Sequence, residues 1–425
     1  MNIVMGRRKR LKRVFSCLLV MLILTSAIAI ASTPLVAATT PVNIQNTGSV
    51  DVGSISKAEL VDAIMAYMKA TYLGEEVEHL EKAELRKLAC LHFYHGGYPR
   101  TITAATGENV TIYKPLERIV VLNTDVAEAI RVLGAKDRIV GITDTITKGT
   151  AFFPEISKKT VVGGWKEIDP ELVLQLDADA VFAYGKWPGP EYIEDKLPPT
   201  ITVLRLDFYK PETLRDEMLK LGYLLDEEEN ASKYINWHDK YVDEIEDKVS
   251  GIPEDAKPKV FLDKSGEEST KERKTYTKES GGISTLCELA GGRNIAAELE
   301  AAYPEVDLEW ILDQNPEIVV GLSNSGGYET DDESVMKEEY ERIIELPGFG
   351  NITTVEDERV YLMDSSVPFA PGYPIGLAYN AKWFYPEEFE DLDPQAIHQE
   401  YVDKFCGIDF DVTKHGVFVY PQVTE

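Results

Sequence analysis

Two stretches of this chain nearly repeat one another. Residues Glu167 to Tyr184 read EIDPELVLQLDADAVFAY, and Glu305 to Leu322 read EVDLEWILDQNPEIVVGL. Asp169 matches Asp307 and Val181 matches Val319 at one constant offset. Each copy holds a short acidic helix, two or three turn-like residues and a buried strand. The offset far exceeds solenoid periods, which run to about 50 residues, so the repeat marks two similar lobes. Between the copies lies DEEENASKYINWHDKYVDEIEDKVSGI, Asp226 to Ile252. Its Tyr234, Trp237, Tyr241, Ile245 and Val249 recur every three to four residues, which predicts one long amphipathic helix. Two lobes joined by a single helix is the economical architecture.

The texture on either side of that helix fits this. RIVVL, RIVGIT, DAVFAY and ITVLRL are short β-rich runs separated by helical stretches such as DVAEAIRVLG. KVFLD, EIVVGL and RVYLMD continue the pattern after the helix. The rhythm predicts parallel strands with helical crossovers. The division expected is residues 100–225 for the N-terminal α/β lobe, 226–252 for the bridging helix and 253–390 for the C-terminal α/β lobe. Residues 391–425 form an acidic extension ending in a strand candidate. RTITAATGENVTI, from Arg100, alternates like a hairpin around Gly107.

Ahead of the lobes stand a leader and a small helical module. RRKRLKR and the apolar run after it make residues 1–38 a signal peptide or an uncleaved anchor, so the rest of the chain is exported. Cys17 lies within the apolar run and is not placed for lipid attachment. Residues 39–99 read as two short helices. Leu60, Ile64 and Met68 form one apolar stripe, Leu85, Leu88 and Leu91 another. The pair resembles a degenerate dockerin module. Gly48, Val50 and Val52 fall where calcium ligands would be needed, so no calcium is expected.

The net charge is −29, and the six basic residues of the leader make the remainder more acidic still. Nucleic acid is thereby a poor partner, since phosphate binding needs clustered Lys and Arg. Cys90, Cys287 and Cys406 are too few for a disulfide framework. Asn109, Asn230 and Asn351 carry the glycosylation acceptor pattern, consistent with export.

PLERIVVLN, LGAKDRIVGIT, VVGGWKEIDPELVLQLDADAVFAY, GGISTLCELAGGRNIA and LPGFGNITTVEDERVYLMDS, in this order between about Thr111 and Phe389, resemble the substrate-binding proteins of ABC importers for iron chelates, haem and cobalamin. The resemblance implies a non-enzymatic receptor with a ligand cleft between its lobes and modest closure. It gives the repeat a role. One surface glutamate on each lobe, Glu171 and Glu309, would dock on the ABC permease. Both also suit the first turn of a helix capped by Asp169 or Asp307.

The cleft is expected at the C-terminal ends of strands. The candidate ligand-binding residues there are Asn123, Thr124, Asp144, Trp165, Tyr184, Lys186 and Trp187 on the first lobe. On the second they are Tyr276, Ser323, Asn324, Phe369 and Tyr373. The aromatics suit an iron chelate, haem or corrinoid. Lys148, Lys166, Lys186, Arg273 and Lys274 could neutralise an anionic one. No resident cofactor and no protein-held metal are expected, because none of the six histidines falls in a predicted cleft loop. No phosphate loop, nucleophile elbow or HExxH pattern favours an enzyme. A cell-surface scaffold without a small-molecule ligand is the remaining alternative.

Overall fold

The computed structural model of the protein describes residues 57–74, 80–94, 97–164, 166–264 and 271–422. All of these belong to one unit running from Val42 to Glu425. The leader, the proposed calcium positions and Trp165 lie outside the described residues.

The N-terminal module contains α1 (Lys57–Met68), extended by a π turn at Lys69–Leu73, and α2 (Lys82–Phe93). Among the described residues a pair of helices is all that the dockerin resemblance keeps, and nothing else in them supports it. β1 (Arg100–Thr103) and β2 (Asn109–Ile112) form the expected antiparallel hairpin.

The first lobe contains β3 (Ile119–Val121), α3 (Thr124–Val132), β4 (Ile139–Ile142), β5 (Thr160–Val161), α4 (Pro170–Gln175), β6 (Ala180–Ala183), β7 (Thr202–Arg205) and α5 (Pro211–Leu225). Its sheet has the order β5-β4-β3-β6-β7, and every pair is parallel. α6 (Glu228–Ser250) is the bridge, two residues shorter at each end than the sequence pattern suggested: Asp226 in a left-handed conformation ends α5 before it, and Gly251 caps its C-terminus. Its buried face carries Tyr234, Trp237, Tyr241, Ile245 and Val249 as expected. Burial of side chains this size contributes roughly 1.5–3 kcal/mol each, enough to fix the helix against both lobes.

The second lobe contains β8 (Lys259–Asp263), β9 (Glu272–Lys274), α7 (Ile283–Leu289), β10 (Arg293–Asn294), β11 (Glu305–Asp307), α8 (Leu308–Gln314), β12 (Ile318–Ser323), α9 (Ser334–Ile344), β13 (Val360–Asp364) and α10 (Tyr373–Phe384). Its main sheet runs β10-β8-β12-β13-β14. The strands are parallel except β14 (Val419–Tyr420), which comes from the C-terminal extension and pairs antiparallel with β13. The extension also forms α11 (Pro394–Tyr401) and a π turn at Val402–Cys406. It is therefore built into the fold as an edge strand and a packed helix. One buried cluster runs through both lobes, the bridge and α11, and separate clusters fill the outer layers of each lobe.

Candidate functional site: the interlobe cleft

Sequence position and sheet order bring four strand ends to one place. β3 and β4 deliver the loops beginning at Asn123 and Thr143, and β12 and β13 deliver those beginning at Asn324 and Ser365. A cavity of about 330 Å³ lies between them, within the range of small-molecule sites.

On the first lobe, Asn123 caps α3 by accepting the amide hydrogen of Val126 at 2.9 Å. The cap points the first turn at the cavity, where Thr124, Asp125 and Glu128 line the wall. The Tyr184 hydroxyl donates to Asp125 Oδ2 at 2.9 Å. Burial pushes the Asp125 carboxyl above its ordinary range, an effect opposed by the hydrogen bonds from Tyr184 and Thr124. Glu128 is pushed up to about 7, chiefly by burial, with Arg131 and the Tyr401 hydroxyl pulling it down. Arg131 does not face the cavity. Its guanidinium lies 3.9 Å from the Phe152 ring centroid and 4.6 Å from that of Phe153, and it donates to the Phe152 carbonyl.

On the second lobe, the carboxylate of Asp364 organises two loops. It accepts from Gly326 N at 3.0 Å, Ser366 N at 2.9 Å and Ser366 Oγ at 2.6 Å. Burial raises its pKa against those bonds. Gly327 turns back at φ +86°, and a Cβ there would meet Asp364 Oδ1 at 2.9 Å, so a side chain would break this approach.

The two walls touch. Glu329 of the second lobe accepts from Ala151 N at 2.7 Å, Phe152 N at 3.2 Å and Thr150 Oγ1 at 2.8 Å of the first. Tyr328 stacks on Phe152 with ring centroids 4.3 Å apart. The cavity is thus lined by four carboxylates, Asp125, Glu128, Glu329 and Asp364, and by no Lys, Arg or His among the described residues. No cluster of three or more metal-ligating side chains occurs among the described residues. The arrangement can bind and orient, and it offers no nucleophile–base pair.

Of the residues singled out from sequence, Thr124, Asn324 and Phe369 line the cavity. Asn123 and Ser323 sit beneath it. Asn123 serves as the cap, and Ser323 Oγ accepts from Ser325 N. Tyr184 backs Asp125 from behind. Asp144 faces a different opening, shared with Gly164, Lys166 and Glu167. Tyr276 is buried in the core with its ring edge to Tyr303. Tyr373 turns away from the cleft, because its hydroxyl lies 2.6 Å from His238 Nε2 on the bridge. Lys186 and Trp187 are exposed, and Trp165 lies outside the described residues. Arg273, suggested as an anion partner, is buried against Asp263, with Nε–Oδ1 3.0 Å and Nη2–Oδ2 2.5 Å. Lys274 reaches Glu305 at 3.5 Å.

Sequence reasoning missed Glu128, Phe152, Phe153 and Glu329 altogether. The signal for Glu128 was present, since it stands four residues after Thr124 on a helix that starts at a strand end. Nothing local marks Glu329, whose partners are remote in sequence.

Glu171 and Glu309 are both exposed in the first turns of α4 and α8. Asp169 accepts from Glu171 N and Leu172 N, and Asp307 accepts from Trp310 N at 2.7 Å, so both predicted caps are formed.

The profile of the periplasmic binding protein family matches residues 119–367. A molybdate-binding protein of Haemophilus influenzae is 26% identical over 332 residues, covering 72% of this chain and 90% of that protein. A cobalamin-binding protein of Halobacterium salinarum is 26% identical over 235 residues, covering 52% of this chain and 58% of its own length. Among solved structures, the TroA-like periplasmic binding protein FepB of Veillonella parvula superposes with a TM-score of 0.62 at 24% identity, covering 76% of this chain and 99% of that one. No helix among the described residues is long and apolar enough to cross a membrane. With two matched lobes, a cleft between them and this profile, the chain belongs to the periplasmic binding protein family, whose members are substrate-binding proteins and not enzymes.

Proposed function

We propose that this protein is the exported receptor of an ABC importer and that it captures a metal chelate of neutral or positive charge, an iron complex foremost. The observation that carries the reading is the cavity's lining of four carboxylates with no facing cation. Two like charges 4 Å apart repel by about 1 kcal/mol in water and about 4 kcal/mol at an effective dielectric of 20. A trianionic catecholate complex, or the oxyanion named for the Haemophilus relative, would meet that repulsion, lessened where burial keeps Glu128 partly protonated near neutral pH. A ferric tris-hydroxamate, which is neutral, would not. The protein's hydroxyl and aromatic groups, from Thr124, Tyr328 and Phe369, suit the rim of such a complex.

A corrinoid is the second reading, favoured by the cobalamin-binding relative in Halobacterium salinarum. It needs more room than 330 Å³ and would require the contacts of Glu329 and Tyr328 with the first lobe to part. Delivery would use Glu171 and Glu309 against basic residues on the permease, an arrangement in which charge sets register and encounter rate. Export by the basic and apolar leader completes the reading.

Native mass spectrometry of the purified protein with a neutral ferric hydroxamate, cyanocobalamin, haem and zinc tests it. One equivalent of a chelate, with amide protection confined to residues 124–128, 149–153, 324–329 and 364–370, is the expected result. Zinc alone at one equivalent, or no adduct with protection absent from these segments, would overturn it.

A further inference from the structure

The C-terminal extension touches both walls of the cleft through a single helix. His398 Nε2 lies 2.6 Å from the Tyr328 hydroxyl on the second lobe. One turn later Tyr401 donates its hydroxyl to Glu128 Oε1 on the first lobe. The spacing of three residues puts both side chains on one face of α11. Both are buried, at 1% exposure each. Their two partners, Tyr328 and Glu128, both line the cavity.

The helix is held from behind as well. Trp237 of the bridge packs against Tyr401 and Phe405, with ring centroids 5.1 and 5.5 Å away. Beyond α11, Cys406 Sγ accepts from Arg131 Nη2 at 3.4 Å, and Arg131 in turn underlies Phe152. The chain then returns to the second lobe, where Asp331 accepts from Gly416 N at 2.8 Å and β14 joins the sheet. The lobes cannot part at the cleft without breaking a bond to α11 or pulling α11 off the bridge.

We infer that His398 and Tyr401 are positioning residues of the binding site: α11 is a strut that holds Tyr328 and Glu128 at a set separation and so fixes the cleft width. The inference rests on the reading of this cleft as the ligand site, and its test uses no ligand, so the two can fail separately.

The readout is hydrogen exchange at the amides of Ala151 and Phe152, which are protected only while Glu329 spans the cleft. Ligand-free wild type is compared with Tyr401→Phe, which deletes one hydroxyl and keeps the ring, and with the His398→Phe, Tyr401→Phe double variant. The strut predicts exchange at these two amides about 5-fold faster in the single variant, the scale of one net hydrogen bond, and faster again in the double. Amides of the bridge, such as Ile235 and Val242, should keep their wild-type rates. If the double variant fails to fold, the single variant decides. Unchanged exchange at Ala151 and Phe152, with faster exchange in Pro394–Tyr401 alone, would overturn the inference. So would a uniform rise that includes the bridge, since that reports lost stability and not a wider cleft.

Discussion

Phe152 and Tyr328 stack across the cleft with their ring planes inclined by 21°. One ring belongs to each lobe, so the pair closes the cavity with apolar surface that a ligand must displace or join. An aromatic pair of this kind contributes about 0.5–1.5 kcal/mol beyond its buried area. Phe152→Ala should therefore speed both association and dissociation of a bound chelate several-fold. Stopped-flow tryptophan fluorescence measures both rates, and unchanged rates would mean that the stack does not gate the cleft.

Glu329 supplies the polar half of the same closure through Ala151, Phe152 and Thr150. The carboxylate is exposed, so water competes for it and its contribution lies near the low end of the 1.5–3 kcal/mol range for charged hydrogen bonds. Glu329→Ala should leave the melting temperature within a few degrees of wild type. It should enlarge the ligand-free radius of gyration in solution scattering. An identical scattering curve would count against the clamp.

Glu128 gives a pH signature with a definite sign. Its folded pKa, near 7, is raised above the ordinary 4.5, so its contribution to stability is complete below pH 4.5 and is lost as pH rises through 7. His398 acts oppositely. Its folded value is depressed to about 3 by burial, so its contribution is complete above the ordinary 6.5 and is lost as pH falls toward 3. The two oppose each other between pH 4.5 and 6.5. Above pH 6.5 the Glu128 contribution falls by about 1 kcal/mol up to pH 8.5, and the last part of the His398 gain, about 0.4 kcal/mol, offsets some of it. Urea denaturation across that window should show falling stability in the wild type and a flatter profile in Glu128→Gln. Parallel profiles would refute the assignment.

Arg273 on β9 and Asp263 at the end of β8 form a buried pair. Removing one partner leaves a buried charge without its counterion, at a cost of about 3–5 kcal/mol. Arg273→Met should lower the denaturation midpoint accordingly while leaving chelate affinity in the surviving folded protein unchanged. A selective loss of affinity would return Arg273 to the binding site.

The Glu171→Arg, Glu309→Arg double variant should bind its chelate as wild type does and fail to stimulate the cognate permease's ATPase. Full stimulation would remove the docking assignment and leave both residues as helix-terminal carboxylates.

The fold was legible where the sequence carries period and punctuation. The bridge shows its apolar stripe, the repeated lobe element shows its Asp caps, and the hairpin shows Gly107 between alternating strands. The cleft was legible only in part. Thr124, Asn324 and Phe369 could be placed because strand ends locate loops. Tyr373 was misjudged because the loop before it gives way to α10, which turns the ring toward His238. Arg273 looked like an available cation because the partner that buries it, Asp263, belongs to a different strand. Glu329 and the strut residues His398 and Tyr401 work through contacts remote in sequence, for which no local pattern exists. The strand candidate at the end of the acidic tail is β14, and the tail's Tyr, Phe and Val residues bind it to the core.

The most direct test of the central claim is the charge selectivity of the cleft, measured by titrating the purified protein at low salt with a neutral ferric tris-hydroxamate and with a trianionic ferric tris-catecholate. Four carboxylates and no facing cation predict one-to-one binding of the neutral complex and at least tenfold weaker binding of the trianion, about 1.4 kcal/mol. Equal or tighter binding of the trianion would contradict the account.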